Sequence, residues 1–158
     1  MRTYNDFEIQ IGAPDGDRFP VSVAGPGGET NGWLVLPNQN PDLEGLLGRL
    51  KRFDTDELSL TSLGQLLFEA LFQGPVRDVY ARSQGTLLLD QSLRIRLNIS
   101  PTALRAAELP WELMHDPDQG PLSLLDTPVV RYLPQQDRVP TMSAPLPLRV
   151  LLTAAQTP

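Results

Sequence analysis

The sequence contains no cysteine and only one histidine. Without cysteine these residues form no disulfide, hold no cysteine-ligated zinc and supply no cysteine nucleophile. A cysteine-free composition suits a reducing cytosol, so the simplest expectation is a cytoplasmic protein. The N-terminus, MRTYNDFEIQIG, lacks the apolar stretch of a secretory signal, and no signal peptide is predicted.

Basic residues and long apolar runs are also scarce. The net charge is −6, Lys51 is the only lysine, and the arginines are scattered rather than clustered. This pattern predicts no nucleic-acid partner. No apolar run approaches the ~20 residues of a membrane span, so no membrane partner is predicted either. The glycines of GPGG (Gly25 to Gly28) lack the Lys-Ser/Thr of a phosphate-binding loop and indicate a hairpin loop. No cofactor is expected.

Proline and glycine, in contrast, are abundant. Sixteen prolines and twelve glycines lie between apolar runs, which indicates short elements joined by loops. The length of 158 residues fits one domain, alone or with an appendage. Apolar residues alternate with polar ones around residues 7–11 and 21–23, and an apolar run covers residues 33–36. These patterns predict an antiparallel meander of three strands, with a loop over residues 24–32 before the third.

The middle of the chain has the spacing of helices. Four leucines recur at i, i+3, i+4 and i+7, namely Leu43, Leu46, Leu47 and Leu50. They predict one helix, for which Pro41-Asp42 is a suitable start. A second helix is predicted from about Thr61 to Phe72, where Gly74-Pro75 stops it. A short third helix is expected around residues 76–82.

Strands are predicted again in the second half. Residues 93–99 alternate strictly between apolar and polar side chains, as in a strand with one buried face. Arg94 and Arg96 lie on the polar face, where cross-strand pairs with acidic residues are the expected arrangement. Ser100-Pro101 predicts the start of a short helix, TALRAAEL. Another strand is expected from Val129 to Tyr132.

The last segment differs in composition. Residues 134–147 include four prolines and are interpreted as a proline-rich linker. The apolar residues that follow, Leu148, Val150, Leu151 and Leu152, predict a strand buried on both faces, as in a parallel sheet. No helix follows to cover it, so the sequence indicates an unfinished β-α-β unit, the N-terminal part of a longer protein or a piece that docks on the rest. An ordinary closing strand that pairs within the domain is the alternative.

The stretch LPWELMHD, from Leu109 to Asp116, contains the single histidine and is the first candidate site. In an enzyme, His115 would act as a general base oriented by Glu112 or Asp116. Glu112 and His115 also have the i, i+3 spacing of di-metal helices, but that site needs a second copy of the pair. The two aspartates of DPD are too few for a calcium loop, and no G-x-S-x-G nucleophile motif is present.

A structural role accounts for the same residues better. Leu109, Trp111, Leu113 and Met114 supply apolar mass for a core. Pro110 fixes the direction of entry, Glu112 caps a helix or pairs with an arginine, and DPDQGP forms a turn. The sequence therefore favours packing over catalysis at this stretch.

Two long stretches resemble a known family. LRIRLNISPTALRAAELPWELMHDPDQGPLSLLDTPVVRYLP, followed after the proline-rich gap by PLRVLLTAAQTP, is similar to the CHAT family of bacterial caspase-like cysteine peptidases. The start, YNDFEIQIG, and the helix LGQLLFEALFQGPVRDVYARS resemble the region before the catalytic half. The most specific piece resembles a family pattern of Leu-Pro-Trp-Glu-Leu-Leu-Tyr-Asp. Its matching residues are Leu109, Pro110, Trp111, Glu112, Leu113 and Asp116, and His115 stands where the family has an aromatic residue.

The resemblance implies a division of the chain. Residues 1–133 are the non-catalytic, pseudo-protease-like region, residues 134–147 the linker, and residues 148–158 the truncated first strand of the caspase-like domain. The implied fold is mixed α+β: an antiparallel meander with helices, followed by a mixed sheet that ends in this first strand. The sequence ends before the loops that carry the family's catalytic Cys and His, so no catalytic residue is carried over.

The resemblance also implies a function. The chain is expected to support or regulate a caspase-like half, with the strand of Leu148, Val150, Leu151 and Leu152 as the docking element and that half, or another protein chain, as the partner. Because CHAT regions occur in multi-component bacterial systems, including antiviral defence, a stand-alone adaptor or assembly module is the alternative. A small hydrolase that uses His115 with Asp116 or Glu112 is the third hypothesis.

Overall fold

The computed structural model of the chain describes residues 3–36, 41–124 and 126–132, which form four helices and seven strands. The strands are β1 (Thr3–Ile11), β2 (Arg18–Gly25), β3 (Gly28–Val35), β4 (Gln91–Ile99), β5 (His115–Asp116), β6 (Gly120–Pro121) and β7 (Val129–Arg131). The helices are α1 (Pro41–Lys51), α2 (Glu57–Leu71), α3 (Pro75–Gly85) and α4 (Leu104–Ala107). The prediction of a mixed α+β fold is confirmed.

Five strands form one mixed sheet in the order β3-β2-β1-β4-β7. The first three are antiparallel neighbours, which confirms the predicted meander. The later strands β4 and β7 join the same sheet and run parallel to β1. The remaining two strands, β5 and β6, form a separate small hairpin. The meander and the later strands therefore share one core.

The two faces of the sheet differ as the alternation predicts. Apolar side chains from β1, β2, β3 and β4 are buried on the face that α2 and α3 cover, including Phe7, Ile9, Val21, Leu34, Leu93, Ile95 and Leu97. Intervening positions such as Glu8, Gln10 and Arg96 are half-buried or exposed. Burial of the apolar face is the main stabilising contribution to this fold.

The third strand begins earlier than predicted. The loop expected over residues 24–32 is wrong, because β3 begins at Gly28, which pairs with Gly25 across a tight turn. Gly28 has a φ of +118°, a conformation that favours glycine. The backbone N–H of Gly27 donates to Ser83 Oγ at 2.9 Å, and Arg82 Nε donates to the Gly27 carbonyl at 3.1 Å. These hydrogen bonds to the end of α3 stabilise the tight turn. The local sequence does not indicate this long-range contact.

The helices are longer than their apolar spacing suggested. The helix α2 begins at Glu57, not near Thr61, because Asp56 caps it by accepting a hydrogen bond from the Ser59 N–H at 2.8 Å. The third helix extends past Arg82 to Gly85. It begins at Pro75, which suits a first helical position because proline has no N–H to leave unpaired.

An aromatic cluster joins the helices to the sheet. The rings of Phe68 and Phe72 stack with centroids 4.5 Å apart, and Tyr80 lies 4.6 Å from Phe72. From the sheet, Phe7 meets the ring of Tyr80 edge-on at 5.6 Å. Such arrangements add to the area that these large side chains bury. The very apolar α2 is therefore a core helix.

The predicted helix after Ser100-Pro101 is reduced to one turn. Its start at Ser100 is wrong, because α4 begins at Leu104. The Ala103 N–H donates to the Ser100 carbonyl at 2.9 Å, and the hydroxyls of Ser100 and Thr102 lie 2.9 Å apart. Residues 100–103 therefore form a turn that connects β4 to α4.

The predicted linker 134–147 and the strand of Leu148 to Leu152 lie outside the described residues. Among the helices that the structure describes, none combines the length and apolar character needed to span a bilayer.

Candidate functional site

The segment Leu109–Asp116, which we call the LPWE segment, lies between α4 and the small hairpin. A short 3-10 helix covers Trp111–Leu113, and β5 follows at once. Both elements pack against α2. Leu109, Trp111 and Met114 belong to the buried core, and Leu113 is partly buried against it. The predicted packing role of the apolar residues is confirmed.

Trp111 is the largest fully buried side chain. Its indole Nε1–H donates to the Ala106 carbonyl at 2.7 Å, which satisfies the ring's one polar group inside the core. Pro110 directly precedes the 3-10 helix at its cap position. The segment thus anchors the connection between α4 and the hairpin to α2.

A glycine of α2 makes this close packing possible. A Cβ atom on Gly64 would overlap the carbonyl oxygen of Leu113 and come within 2.9 Å of His115 Cβ. Only the absence of a side chain at this position lets the LPWE segment approach the helix so closely. His115 is therefore held in place by backbone packing.

Glu112 pairs with an arginine, which is one of the two roles that the sequence predicts for it. Arg131 Nε donates to Glu112 Oε1 at 2.7 Å, and Arg131 Nη2 donates to Oε2 at 2.9 Å. The same guanidinium donates to the carbonyls of Ala107 and Leu109, each at 2.6 Å. We call this contact the Glu112–Arg131 clasp. It fastens the LPWE segment to β7, where Arg131 is the final residue.

The clasp changes the titration of Glu112. Partial burial acts to raise the pKa of Glu112, but hydrogen bonds and the positive charge of Arg131 outweigh it, so the pKa lies below its ordinary value of 4.5. The carboxylate is therefore ionised at neutral pH and committed to Arg131.

Asp116 serves the turn that follows. It is buried, and its Oδ1 accepts the backbone N–H of Asp118 at 2.9 Å. Asp118 in turn bonds Arg77 of α3 at 3.2 Å. Burial, together with the negative charge of Asp116, raises the pKa of Tyr80 well above its ordinary range. The predicted turn in DPDQGP is confirmed as the loop of the β5–β6 hairpin.

His115 is close to Glu112 and Asp116 in the sequence, but its side chain pairs with neither of them. No hydrogen bond or ion pair joins its ring to Glu112 or Asp116 in the described part of the chain. Across the described ranges, no three His, Cys, Asp or Glu residues cluster in a way that could hold a metal ion. The geometry thus provides no oriented base at the position where the enzymatic interpretation placed one.

The arginines of β4 form the cross-strand pairs that the alternation suggested. Asp6 accepts from Arg94 at 2.7 Å and from Arg96 at 3.1 Å. Glu8 also accepts from Arg96 at 2.7 Å. These two arginines are engaged within the sheet rather than offered to an acidic partner.

No protein-family model, curated protein or solved structure matches the chain.

Sequence reasoning missed the role of Arg131. The sequence predicts Arg131 only as part of a strand, and no local motif marks it as the partner of Glu112 nineteen positions earlier. The sequence feature that could have indicated this role is the position of Arg131, a charged residue at the end of an apolar strand. The residues predicted to form a docking strand, Leu148, Val150, Leu151 and Leu152, lie outside the described residues.

Proposed function

We propose that this chain is the non-catalytic N-terminal region of a CHAT-type, caspase-like cysteine peptidase, and that it supports or regulates a catalytic half carrying the nucleophile. The peptidase would be a cytoplasmic protein, in keeping with the cysteine-free composition of this region. The chain itself supplies no catalytic residue in this proposal, and no cofactor.

The Glu112–Arg131 clasp is the observation that carries the proposal. The residues of the LPWE segment, which most resemble the family pattern, pack in the core or form this clasp. The clasp fixes β7, after which the chain continues into the proline-rich residues and the apolar run that begins at Leu148. A region that supports a following catalytic half needs its last strand, here β7, to be held in position, and this motif does so.

The order of the parallel strands also supports docking of the caspase-like half beside β7. From β1 to β4 to β7, each parallel strand is added on the same side of the sheet. Within the described sheet β7 pairs with β4 alone, so it is an edge strand. Edge strands pair readily with a further strand, and the caspase-like half would extend the sheet on this side.

The native gene product tests the proposal directly. An antibody against this chain would purify the product from its own cells for intact mass measurement and for labelling with an acyloxymethyl ketone, a probe of cysteine peptidases. Because this chain has no cysteine, labelling can come only from additional sequence or a partner. We expect a labelled polypeptide that either exceeds 17.5 kDa and includes this chain, or copurifies with it.

A product of 17.5 kDa with no labelled companion would overturn the proposal. A product of that mass with a companion lacking any reactive cysteine would also overturn it, and would favour the adaptor module. Arg131→Met should lower labelling of the native protein, whereas Arg105→Met, on an exposed arginine of α4, should not. Thermal unfolding of both variants shows whether reduced labelling comes from loss of docking or from loss of folding.

A further inference from the structure

The strand β3 forms the edge of the sheet opposite β7, because within the described sheet it pairs with β2 alone. Its pairing with β2 continues through eight consecutive residues, from Gly28 to Val35, without a bulge. It is much longer than β7, which has three residues. A long and regular edge strand offers a row of backbone groups to which another strand can bond.

The hydrogen bonds of β2 show which backbone groups of β3 point away from the sheet. The Gly12 N–H donates to the Pro20 carbonyl at 2.8 Å, so Pro20 and every second residue after it direct their backbone groups towards β1. The residues between them bond to β3, because successive residues of a strand point to alternate sides. Their partners are Thr30, Gly32 and Leu34, together with Gly28 at the turn. The residues of β3 that point outwards are therefore Glu29, Asn31, Trp33 and Val35.

This edge lacks the usual protection against pairing. Among the hydrogen bonds between described residues, only the one from the Thr30 hydroxyl to the Asn31 carbonyl reaches the outward groups, and it is long at 3.4 Å. The outward residues are all exposed, and residues 31–35 include no charge and no proline. Trp33 is 42% exposed and Val35 is 49% exposed. Natural edge strands usually avoid such a surface unless another strand pairs with it.

Opposite charges lie at the two ends of the same edge. Glu29 stands near its start and forms no ion pair with another described residue. At the other end, Arg18 of β2 is the cross-strand neighbour of Val35. Its guanidinium lies 4.0 Å from the centroid of the Trp33 ring, and its ion pair with Asp15 is exposed and 3.6 Å long. An antiparallel pairing of two such edges would bring unlike charges together.

We propose that two copies of the chain pair through β3, antiparallel and about a two-fold axis, so that their two sheets become one. In this pairing Asn31 lies opposite the partner's Trp33, and Glu29 lies opposite the partner's Val35. Each opposed pair exchanges two backbone hydrogen bonds. A two-fold contact uses the same surface on both copies, so it closes as a dimer and leaves no β3 edge open. The dimer does not depend on the proposed peptidase function.

The charges select this register. With Glu29 opposite the partner's Val35, Glu29 stands two strand spacings, about 10 Å, from the partner's Arg18 on the same face of the joined sheet. Two long side chains can close this distance over Val35, and the two-fold axis forms the contact twice. A register shifted by two residues would displace Glu29 by about 7 Å along the strand from the partner's Arg18. The proposed register is therefore the one with charge complementarity.

Sedimentation velocity of the purified full-length chain measures the association. We expect a dimer, with twice the 17.5 kDa mass of the chain, that dissociates on dilution. Asn31→Pro should abolish this dimer, because the Asn31 N–H points out of the sheet and its loss leaves the hydrogen bonds between β2 and β3 in place. Thermal unfolding of the variant shows whether it remains folded.

Charge reversal tests the register. In Glu29→Arg two arginines would meet at each end of the contact, and in Arg18→Glu two glutamates would meet. Each variant by itself should therefore dimerise at least about tenfold more weakly than the wild type. An equimolar mixture should recover the dimer, because unlike charges then meet at both ends. Glu44→Arg, on an exposed acid of α1, makes the same change in net charge and should leave the dimer unchanged.

Single cysteines provide a direct measurement of the register, because the wild-type chain has none. A mixture of Glu29→Cys and Val35→Cys should be joined by a short bis-maleimide reagent, since these positions lie opposite each other in the dimer. Either variant by itself should react at least about tenfold more slowly, because its two cysteines are about 20 Å apart along the paired strands.

A wild-type chain that stays monomeric at every concentration would overturn the proposal. A dimer that persists in Asn31→Pro would equally overturn it, and would place the contact on another surface. If the mixed charge variants remain folded but do not dimerise, or if the mixed cysteine variants react no faster than each alone, the antiparallel register is wrong.

Discussion

Gly64 of α2 lies so close to Leu113 that no side chain fits between them. A Cβ atom at position 64 would overlap the Leu113 carbonyl oxygen. This contact joins α2, the most apolar of the three long helices that the structure describes, to the LPWE segment, and the clasp joins that segment to β7. The stability of the edge strand therefore depends on a glycine far from it in sequence.

Gly64→Ala should destabilise the protein although alanine is the better helix former. Forcing a methyl group into this contact should cost about 1–3 kcal/mol. Gly45→Ala is the matched control, because a Cβ at Gly45 in α1 meets nothing within 4 Å. There the change should stabilise the protein by up to about 1 kcal/mol. Urea unfolding of both variants measures the two effects, and changes of the same sign would contradict the close contact.

Arg131→Met should destabilise the protein by about 2 kcal/mol, because the carbonyls of Ala107 and Leu109 lose their donor along with Glu112. For Arg105→Met, whose side chain is exposed, the change should remain within about 0.5 kcal/mol. Thermal unfolding provides the measurement. If both variants unfold at the same temperature as the wild type, the clasp contributes nothing to stability.

The contribution of Glu112 should depend on pH. Its pKa is lowered in the folded state, so the stabilisation is fully present above its ordinary pKa of 4.5 and is lost as the pH falls through the lower folded value. Relative to Glu112→Gln, the wild type should therefore be more stable at pH 7 and equally stable at strongly acidic pH. The difference should not exceed about 1 kcal/mol, because the Glu112 side chain is 50% exposed.

Glu108→Gln is the control for this pH dependence, since Glu108 is an exposed acid close in sequence to the same segment. Urea unfolding at several pH values gives both curves. A Glu112→Gln difference that grows as the pH falls would contradict the assigned direction of the pKa change.

His115→Phe should leave the protein folded, with a stability within about 1 kcal/mol of the wild type. The ring of His115 makes no hydrogen bond in the described structure, and its Cβ packs near Gly64, so an aromatic ring keeps the contact that matters. Thermal unfolding with and without Zn²⁺ measures this. Zinc-dependent stabilisation of the wild type that disappears in His115→Phe would instead revive His115 as a ligand.

Many elements follow from local sequence alone. The alternation at Phe7, Ile9 and Ile11 predicted β1 and its buried face, and the leucine spacing predicted α1. These features succeed because a strand repeats every two residues and a helix every 3.6, so burial on one side is visible in the sequence. The helix boundaries were less accurate, since Asp56 caps α2 before its apolar spacing begins.

Other features needed the tertiary structure. The early start of β3 depends on the contact of Gly27 with Ser83, and the clasp depends on Arg131 reaching Glu112. Gln10, Ser22, Asn31 and Asn98 lie side by side in four neighbouring strands because of the register of those strands. For the alternating strands and the regularly spaced helices, the sequence by itself determined which side chains are buried, because that pattern depends on neighbours along the chain. Which distant polar residues meet was decided by strand order and register, since a shift of one residue would turn every side chain of a strand to the other face.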